Sequence, residues 1–142
     1  MGNIIKAAPG RLEDARWIDL PSNADSRGVL TVVESGRDTP FEIKRVYLLH
    51  NIVGDRGGHA HQDTTQIVTA VSGSFELTLS DGTGTRRFIL DDITRGLLFG
   101  PMLFIRMTGF SSGARALVLA STHYEKSRSI RSWEDYLAAI GS

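Results

Sequence analysis

The sequence predicts an all-β fold, a sandwich or barrel, closed by one short C-terminal helix. Short runs rich in Val, Ile, Thr, Phe and Leu recur along the 142 residues, and the 15 glycines fall between them. Apolar and polar side chains alternate strictly over 75–80, which is the period of a half-buried strand. Near the end of the chain, the apolar period changes to that of a helix.

The predicted strands follow from these runs and from the turn residues between them. Phe75, Leu77 and Leu79 share one face of a strand, and an Asp-Gly pair at 81–82 marks a hairpin turn before the next run. Gly-Pro at 100–101 and Ser-Ser-Gly at 111–113 separate the last three runs. In chain order, the predicted strands occupy 29–34, 41–52, 66–71, 75–80, 87–90, 97–99, 103–107 and 116–120.

A helix is predicted at about 132–140. Ser132 can cap its N-terminus, Glu134 and Asp135 place acidic charge in its first turn, and Gly141 ends it. One apolar stripe, expected to pack on the barrel wall, consists of Trp133, Tyr136, Leu137 and Ile140. Because the chain has no repeat, low-complexity tract or linker, we expect a single domain over 1–142 with its core at about 26–124.

The composition excludes several classes of function. Lys and Arg number 16, as do Asp and Glu, and this zero net charge argues against bulk electrostatic binding to nucleic acids or anionic membranes. The chain has no cysteine, which excludes disulfides, zinc–thiolate sites, iron–sulfur clusters and a cysteine nucleophile. No run approaches the roughly 18 to 20 apolar residues that span a bilayer, and the first ten residues do not resemble a signal peptide. We therefore predict a cytoplasmic protein.

The most informative motif is Arg-Gly-Gly-His-Ala-His at 56–61, which is followed by Gln66. His59 and His61 are two residues apart, so on a strand they would share one face. Histidine pairs of this spacing occur in metal-binding cupin barrels, which add a Glu a few residues on and a third His on a later strand. Here Gln66 stands in the position of the Glu, and the later run 103–107 has no His. Two histidines and a neutral Gln are a poor site for a divalent metal, so we predict a cupin without a metal site.

A pair of histidines in a barrel suits proton transfer. Histidine gains and loses a proton near neutral pH, and two neighbours can take a proton from carbon and move another between oxygens. Arginines near them would suit a phosphorylated or nucleotide-linked substrate through bidentate contacts. The arginines at strand starts, or on runs that could line the barrel, are Arg27, Arg45, Arg56 and Arg106.

Two strings in the sequence are distinctive when taken together. They are Pro-Phe-Glu-Ile-Lys-Arg-Val-Tyr at 40–47 and the Arg-Gly-Gly-His-Ala-His motif with Gln66. With them, the chain resembles the nucleotide-sugar 3,4-ketoisomerases, also called WxcM-like cupins, over about 26–140. Further matching segments are 27–30, 100–101, 110–112, 117–121, Tyr124 and 130–131. The resemblance implies an RmlC-like jelly-roll β-barrel of the cupin class.

The resemblance also implies a reaction. Family members act on dTDP-4-keto-6-deoxyglucose in deoxysugar biosynthesis and move the ketone from C4 to C3 through an enediol. His59 matches the general base that removes the C3 proton, and His61 matches the residue that relays a proton between the C3 and C4 oxygens. The resemblance implies no metal, nicotinamide or other cofactor.

The same resemblance implies further site residues and a partner. Arg27 and Arg56 match positions expected to hold the pyrophosphate or the sugar. Tyr47 and Gln66 are expected to line the pocket, and Arg106 is a further candidate for substrate binding. The expected partner is a second copy of the chain, in a homodimer that exchanges N-terminal strands.

Three positions depart from the family pattern. The family commonly has Trp-His after Gly-Pro, where this chain has Phe104 and Ile105, and commonly has Tyr where this chain has Ser129. The stereochemistry left at C4 depends on which face of the pocket delivers the proton, so the product, the sugar and the nucleotide stay open. An epimerase of the 3,5-epimerase type and a non-catalytic nucleotide-sugar-binding cupin are the alternatives. The paired histidines favour the isomerase, because such an epimerase would usually pair a single His with an Asp and a Tyr acid.

Overall fold

The computed structural model describes residues 11–141, and two facing β-sheets dominate this part of the chain. A short 3-10 turn occupies Leu12–Asp14, and a second one occupies Lys126–Arg128. The strands and the helix of the described residues are β1 Arg16–Asp19, β2 Ser22–Asp25, β3 Gly28–Thr31, β4 Arg45–Leu49, β5 Arg56–His61, β6 Gln66–Ser72, β7 Phe75–Ser80, β8 Thr85–Leu90, β9 Arg95–Phe99, β10 Phe104–Thr108, β11 Arg115–Ala120, β12 Ser129–Ile130 and α1 Trp133–Ile140.

The strands form two five-stranded antiparallel sheets and one hairpin. The first sheet has the order β1-β9-β6-β11-β4, the second has the order β12-β5-β10-β7-β8, and β2 pairs with β3 alone. Neighbours in each sheet are mostly distant in sequence, as the crossing connections of a jelly roll require. The predicted fold class, an all-β cupin-like jelly roll with one C-terminal helix, is confirmed.

The core lies between the two sheets. Every second residue of β7 is buried, and Leu77 and Leu79 are fully inaccessible to solvent. They belong to one cluster with Val68 and Val118 from the opposite sheet. The alternation seen in the sequence therefore reports one buried face and one more exposed face of the strand, as predicted.

The C-terminal helix begins and ends where the sequence indicates. The side chain of Ser132 accepts a hydrogen bond from the amide of Asp135 at 3.1 Å, and Gly141 forms the C-cap. Tyr136 is fully buried, and its hydroxyl lies 3.0 Å from the carbonyl oxygen of Ser80 and 2.8 Å from that of Met102. Trp133 packs edge-on against Phe104, with ring centroids 5.2 Å apart, and Leu137 and Ile140 lie against Gly82 in the turn between β7 and β8. The stripe therefore packs on the sheet as expected, although Tyr136 is its one fully buried member and the other three stay 37–42% exposed.

Several strand boundaries differ from the prediction. The run 41–52 contains a strand only at Arg45–Leu49. The preceding residues form side-chain-supported turns, in which Thr39 and Ser35 accept hydrogen bonds from the amides of Gly36 and Ile43. Strand β2, Ser22–Asp25, was not predicted, because all four of its residues are exposed and it has no apolar face to reveal it.

Two expectations concern residues outside the described range. Residues 1–10, which we expect not to form a signal peptide, lie outside that range. The single domain over 1–142 stays a prediction for the same reason. Within residues 11–141, no helix is long and apolar enough to cross a bilayer.

Candidate active site

A pocket of about 380 Å³ opens between strands of the two sheets, with β4 on one side and β5 on the other. Its volume falls in the range of small-molecule sites. Histidines, arginines and tyrosines converge on it from distant parts of the sequence. The lining residues are Arg45, Val46, Tyr47, His59, His61, Tyr124, Ser129 and Arg131.

A glycine and an irregularity in the ladder shape the strand that carries the histidines. The pairing of β5 with β10 shifts register between Ile105 and Arg106. Gly57 lies at this point with φ +90°, and a Cβ there would lie 2.7 Å from the carbonyl oxygen of Ile105. Only glycine fits both the dihedral angle and the close approach of the backbones.

His59 and His61 lie side by side in the pocket, as their spacing predicts. Their ring centroids are 4.7 Å apart and the rings are nearly perpendicular, at 73°. Nδ1 of His61 lies 3.3 Å from the hydroxyl oxygen of Ser129. Nε2 of His61 is buried and has no hydrogen-bond partner within residues 11–141. One imidazole nitrogen is thus held by the protein, and the other is left for a ligand.

Both histidines are kept neutral at physiological pH. Burial lowers the pKa of His59, with smaller contributions from the positive charges of Arg131, Arg56 and Arg45. Burial, then His59, Arg45 and Arg131, lowers the pKa of His61 to about 4. A neutral imidazole has a free lone pair, so each ring can accept a proton at pH 7.

Arg45 and Arg131 place positive charge beside the histidines. The guanidinium of Arg45 lies 5.3 Å from the ring centre of Tyr47 and 5.5 Å from that of Tyr124. Its Nε is buried and unpartnered within the described chain. Nη2 of Arg131 donates to the hydroxyl of Tyr124 at 3.5 Å. The pocket therefore offers fixed cationic groups to an anionic or carbonyl-bearing ligand.

Tyr47 lines the pocket, and Gln66 lies behind it. Gln66 is 2% exposed, and its Nε2 donates to the hydroxyl of Tyr47 at 3.3 Å. Burial raises the pKa of Tyr47, so the phenol stays protonated and can donate a hydrogen bond of its own. Gln66 therefore contacts the pocket through Tyr47.

The other predicted arginines are not among the residues that line this pocket. Arg27 lies on the exposed β2–β3 hairpin and pairs with Asp25 at 2.7 Å. Arg56 begins β5 and lies near enough to lower the pKa of His59 and Tyr47. Arg106 is exposed and lies 3.7 Å from a carboxylate oxygen of Asp55.

Strand geometry explains the position of Arg106. Its neighbours Ile105 and Met107 are buried in the core between the sheets. Because side chains alternate along a strand, Arg106 points to the opposite face of β10. The structure therefore does not bring Arg106 to the histidines.

The donor set of the pocket does not suit a metal ion. Across residues 11–141, no three His, Asp or Glu side chains gather closely enough to hold one. The pocket also has two arginines beside its two histidines. The expectation that the protein needs no metal and no other cofactor stays a prediction.

Sequence reasoning missed part of the site. Arg45 was noted only as one arginine among several, while Tyr124, Ser129 and Arg131 were not among the candidate site residues. The segment 124–131 has no regular period, and its only strand, β12, has two residues. The available signal was the resemblance itself, which includes Tyr124 and 130–131.

Two facing antiparallel sheets with paired histidines in the pocket between them define this chain as a cupin. More particularly, residues 13–141 match the family model described as "FdtA: WxcM-like, C-terminal", and the chain belongs to this family. This match confirms the family suggested by the two strings at 40–47 and 56–61.

Individual relatives cover nearly the whole chain. A TDP-4-oxo-6-deoxy-α-D-glucose 3,4-oxoisomerase of Aneurinibacillus thermoaerophilus is 37% identical over 121 residues, covering 84% of this chain and 87% of the relative. The crystal structure of a 3,4-ketoisomerase from Helicobacter canadensis has a TM-score of 0.87 at 34% identity, covering 91% of this chain and 98% of that one. The sugar 3,4-ketoisomerase QdtA from Thermoanaerobacterium thermosaccharolyticum, in complex with TDP, has a TM-score of 0.88 at 32% identity, covering 92% and 97%.

Proposed function

We propose that this chain is a sugar 3,4-ketoisomerase that acts on TDP-4-keto-6-deoxyglucose and forms a TDP-3-keto-6-deoxyhexose. The observation that carries the proposal is the pair of half-buried imidazoles with lowered pKa values, 4.7 Å apart in one pocket, with Nε2 of His61 free of any described partner. The named relatives, a TDP-4-oxo-6-deoxyglucose oxoisomerase among them, supply the substrate class.

The reaction needs two proton movements, and the histidine pair can serve both. The hydrogen on C3 is acidic because it lies next to the C4 ketone. His59 removes this proton, and the C3–C4 enediol forms as the C4 oxygen gains a proton. His61 takes the proton of the C3 hydroxyl and passes it to the C4 oxygen, while C4 accepts a solvent-derived proton and His59 releases the C3 proton to solvent. Carbon and oxygen each lose one proton and gain one, so no cofactor is needed to balance the reaction.

The charges around the pocket suit a nucleotide-linked sugar. Arg45 and Arg131 line the pocket, and Arg56 lies close enough to influence His59 electrostatically. We assign Arg56 and Arg27 to the binding of the pyrophosphate. A guanidinium group can donate two parallel hydrogen bonds to the oxygens of one phosphate. Tyr47, supported by Gln66, borders the sugar.

We further propose a homodimer that exchanges N-terminal strands. The support is an exposed apolar surface at the β2–β3 hairpin and at β4, which is an edge strand. Val29, Leu30, Val46 and Leu48 are 55–64% exposed there. In such a dimer, Arg27 on the hairpin would approach the second copy. We also expect a cytoplasmic location, which fractionation of cells that express the chain would test.

An isotope experiment tests the proposed reaction. The protein is incubated with TDP-4-keto-6-deoxyglucose in deuterated water and followed by NMR. We expect the ketone to move to C3 and deuterium to appear at C4. A 3,5-epimerase would instead label C3 and C5 and leave the ketone at C4, and a binding protein would incorporate no label. The same assay after treatment with a chelator should give an unchanged rate, and loss of the rate would overturn the metal-free mechanism.

A further inference from the structure

Among residues 11–141, Ser129 is the one hydrogen-bond partner of a ring nitrogen of His61. It lies in the two-residue strand β12, directly opposite His61 in the ladder with β5. Its hydroxyl oxygen is 3.3 Å from Nδ1, a distance suited to a weak hydrogen bond that a ligand could tighten. The family resemblance does not supply this contact, because the family commonly has tyrosine where this chain has Ser129.

The backbone around Ser129 is fixed by contacts on the same side of the pocket. The amide of Gln62 donates to the carbonyl oxygen of Arg128 at 2.9 Å. The guanidinium of Arg128 pairs with the carboxylates of Asp63 and Glu125. These contacts tie the segment before β12 to the residues that follow His61. Contacts between the residues before β12 and those after β5 therefore hold the hydroxyl of Ser129 beside the imidazole of His61.

The two nitrogens of His61 have different surroundings. Nδ1 faces the serine hydroxyl, while Nε2 is buried without a partner in the described chain. A serine hydroxyl can either donate to Nδ1 or accept from Nδ1–H, and only the second arrangement leaves the lone pair on Nε2 for the substrate. We propose that Ser129 is a positioning residue that accepts a hydrogen bond from Nδ1–H of His61 and so presents Nε2 as the nitrogen that exchanges protons with the substrate. This inference rests on the proposed ketoisomerase function.

The proton balance is simple under this assignment. Neutral His61 carries its proton on Nδ1, bonded to Ser129. The proton of the C3 hydroxyl moves to Nε2, which makes the ring an imidazolium, and the same nitrogen then gives a proton to the C4 oxygen. The Nδ1–H bond to Ser129 stays intact throughout, and the ring returns to its starting tautomer. Without the serine hydroxyl, the other tautomer would carry its proton on Nε2 and could not accept one there.

The direct test is the tautomer of His61 in the protein without substrate. ¹⁵N-labelled protein is studied at pH 7 by NMR, and the His61 nitrogens are assigned by their loss in His61→Asn. We expect Nδ1 protonated and Nε2 unprotonated in the wild-type protein. Ser129→Ala should give a mixture of tautomers, and Ser129→Thr, which keeps the hydroxyl, should restore the wild-type pattern. Ser127→Ala is the matched control on the adjacent exposed turn and should leave the pattern unchanged.

Kinetics provides the second readout. Since a neutral hydrogen bond contributes modestly, Ser129→Ala should lower kcat by about three- to tenfold with KM within about twofold, and Ser129→Thr should recover the rate. Exchange of the C3 hydrogen, which depends on His59, should persist in Ser129→Ala. A wild-type ring protonated on Nε2, or a Ser129→Ala protein with the wild-type tautomer and rate, would overturn the inference. The tautomer measurement needs no turnover, so it tests Ser129 even if the proposed reaction is absent.

Discussion

Ile105 lies directly across the β5–β10 ladder from His59, so an aliphatic side chain borders the imidazole on the inner face of the sheet. Ile105 is 3% exposed and belongs to the core between the sheets. Cross-strand neighbours of this kind have Cβ atoms about 4.5–5.5 Å apart. Burial lowers the pKa of His59, and from this pairing we expect the apolar side chain of Ile105 to contribute to that burial.

Replacing Ile105 with Thr should therefore raise the pKa of His59 towards its ordinary value, because a hydroxyl beside the ring stabilises the imidazolium. The acid limb of the pH profile of kcat/KM should move to higher pH. The buried hydroxyl should also lower the free energy of unfolding by about 1–3 kcal/mol. Ile105→Val is the control, since it keeps the apolar surface and should leave the acid limb in place. An unmoved limb in Ile105→Thr would show that other groups set the pKa.

Replacing His59 or His61 with Asn, which preserves size and polarity, should change the activity in different ways. A positioned base contributes about 10²–10⁴-fold, so His59→Asn should nearly abolish both isomerisation and exchange of the C3 hydrogen with solvent. His61→Asn should slow isomerisation but retain part of the C3 exchange, because the enediol can form and collapse back. NMR in deuterated water measures both rates. Exchange at the wild-type rate in His59→Asn would contradict the assignment of the base.

Stability should depend on the protonation of His61. In the folded protein its pKa is about 4, against an ordinary value of 6.5. As the pH falls from 6.5 towards 4, the unfolded chain binds a proton that the folded chain does not, so the free energy of unfolding decreases. Above pH 6.5, His61 is neutral in both the folded and the unfolded chain, so its protonation no longer changes the free energy of unfolding. Urea unfolding at several pH values should show a shallower decrease for His61→Asn, with His123→Asn, at an exposed position, as the control.

Arg56→Ala should weaken the binding of TDP by about tenfold or more, because charge-assisted hydrogen bonds to phosphate contribute about 1.5–3 kcal/mol each. Arg27→Ala should have a similar effect in the proposed strand-exchanged dimer. Arg87→Ala is the control, since Arg87 is exposed on β8 and pairs with Glu76. Isothermal titration with TDP gives the affinities. Unchanged affinity in both Arg27→Ala and Arg56→Ala would show that other residues hold the nucleotide.

Tyr136→Phe should lower the free energy of unfolding by about 1–3 kcal/mol. The hydroxyl of Tyr136 bonds to the carbonyl oxygens of Ser80 and Met102, and its loss leaves both without that donor. Thermal and urea unfolding measure the change. Leu137→Ala, on the more exposed side of the helix, should cost less. An unchanged free energy of unfolding in Tyr136→Phe would show that the hydroxyl contributes nothing beyond the packing of the ring.

The sequence predicts the fold wherever one face of an element is buried. The alternation in β7 and the caps of α1 are local signals, and the structure places both elements as expected. Apolar periodicity does not reveal a segment that has no buried face, such as β2. It also does not reveal turns that side chains support, such as those before β4. In those segments the backbone is held by a hairpin with the next strand or by side-chain hydrogen bonds within turns, and neither leaves an apolar periodicity in the sequence.

The residues of the site also differ in whether a local sequence pattern can predict them. His59 and His61 are predictable because a spacing of two residues fixes their common face in any strand. The position of Arg106 was also available in principle, because Ile105 and Met107 on either side of it are apolar and indicate the opposite face. Ser129 and Arg131 reach the pocket from an irregular segment nearly seventy residues after the histidines, and only the tertiary structure brings them there.

The backbone at Gly57 also limits how this protein can diverge. Every single-base change of a glycine codon that is not silent introduces a residue with a Cβ, or a stop, and a Cβ here would meet the carbonyl oxygen of Ile105 at 2.7 Å. No flexible side chain yields to the added carbon, since the obstacle is the main chain of β10. Any change of residue here would distort the strand that carries both histidines. Wherever the paired-imidazole site is kept, we therefore expect change at this codon to be limited to silent substitutions.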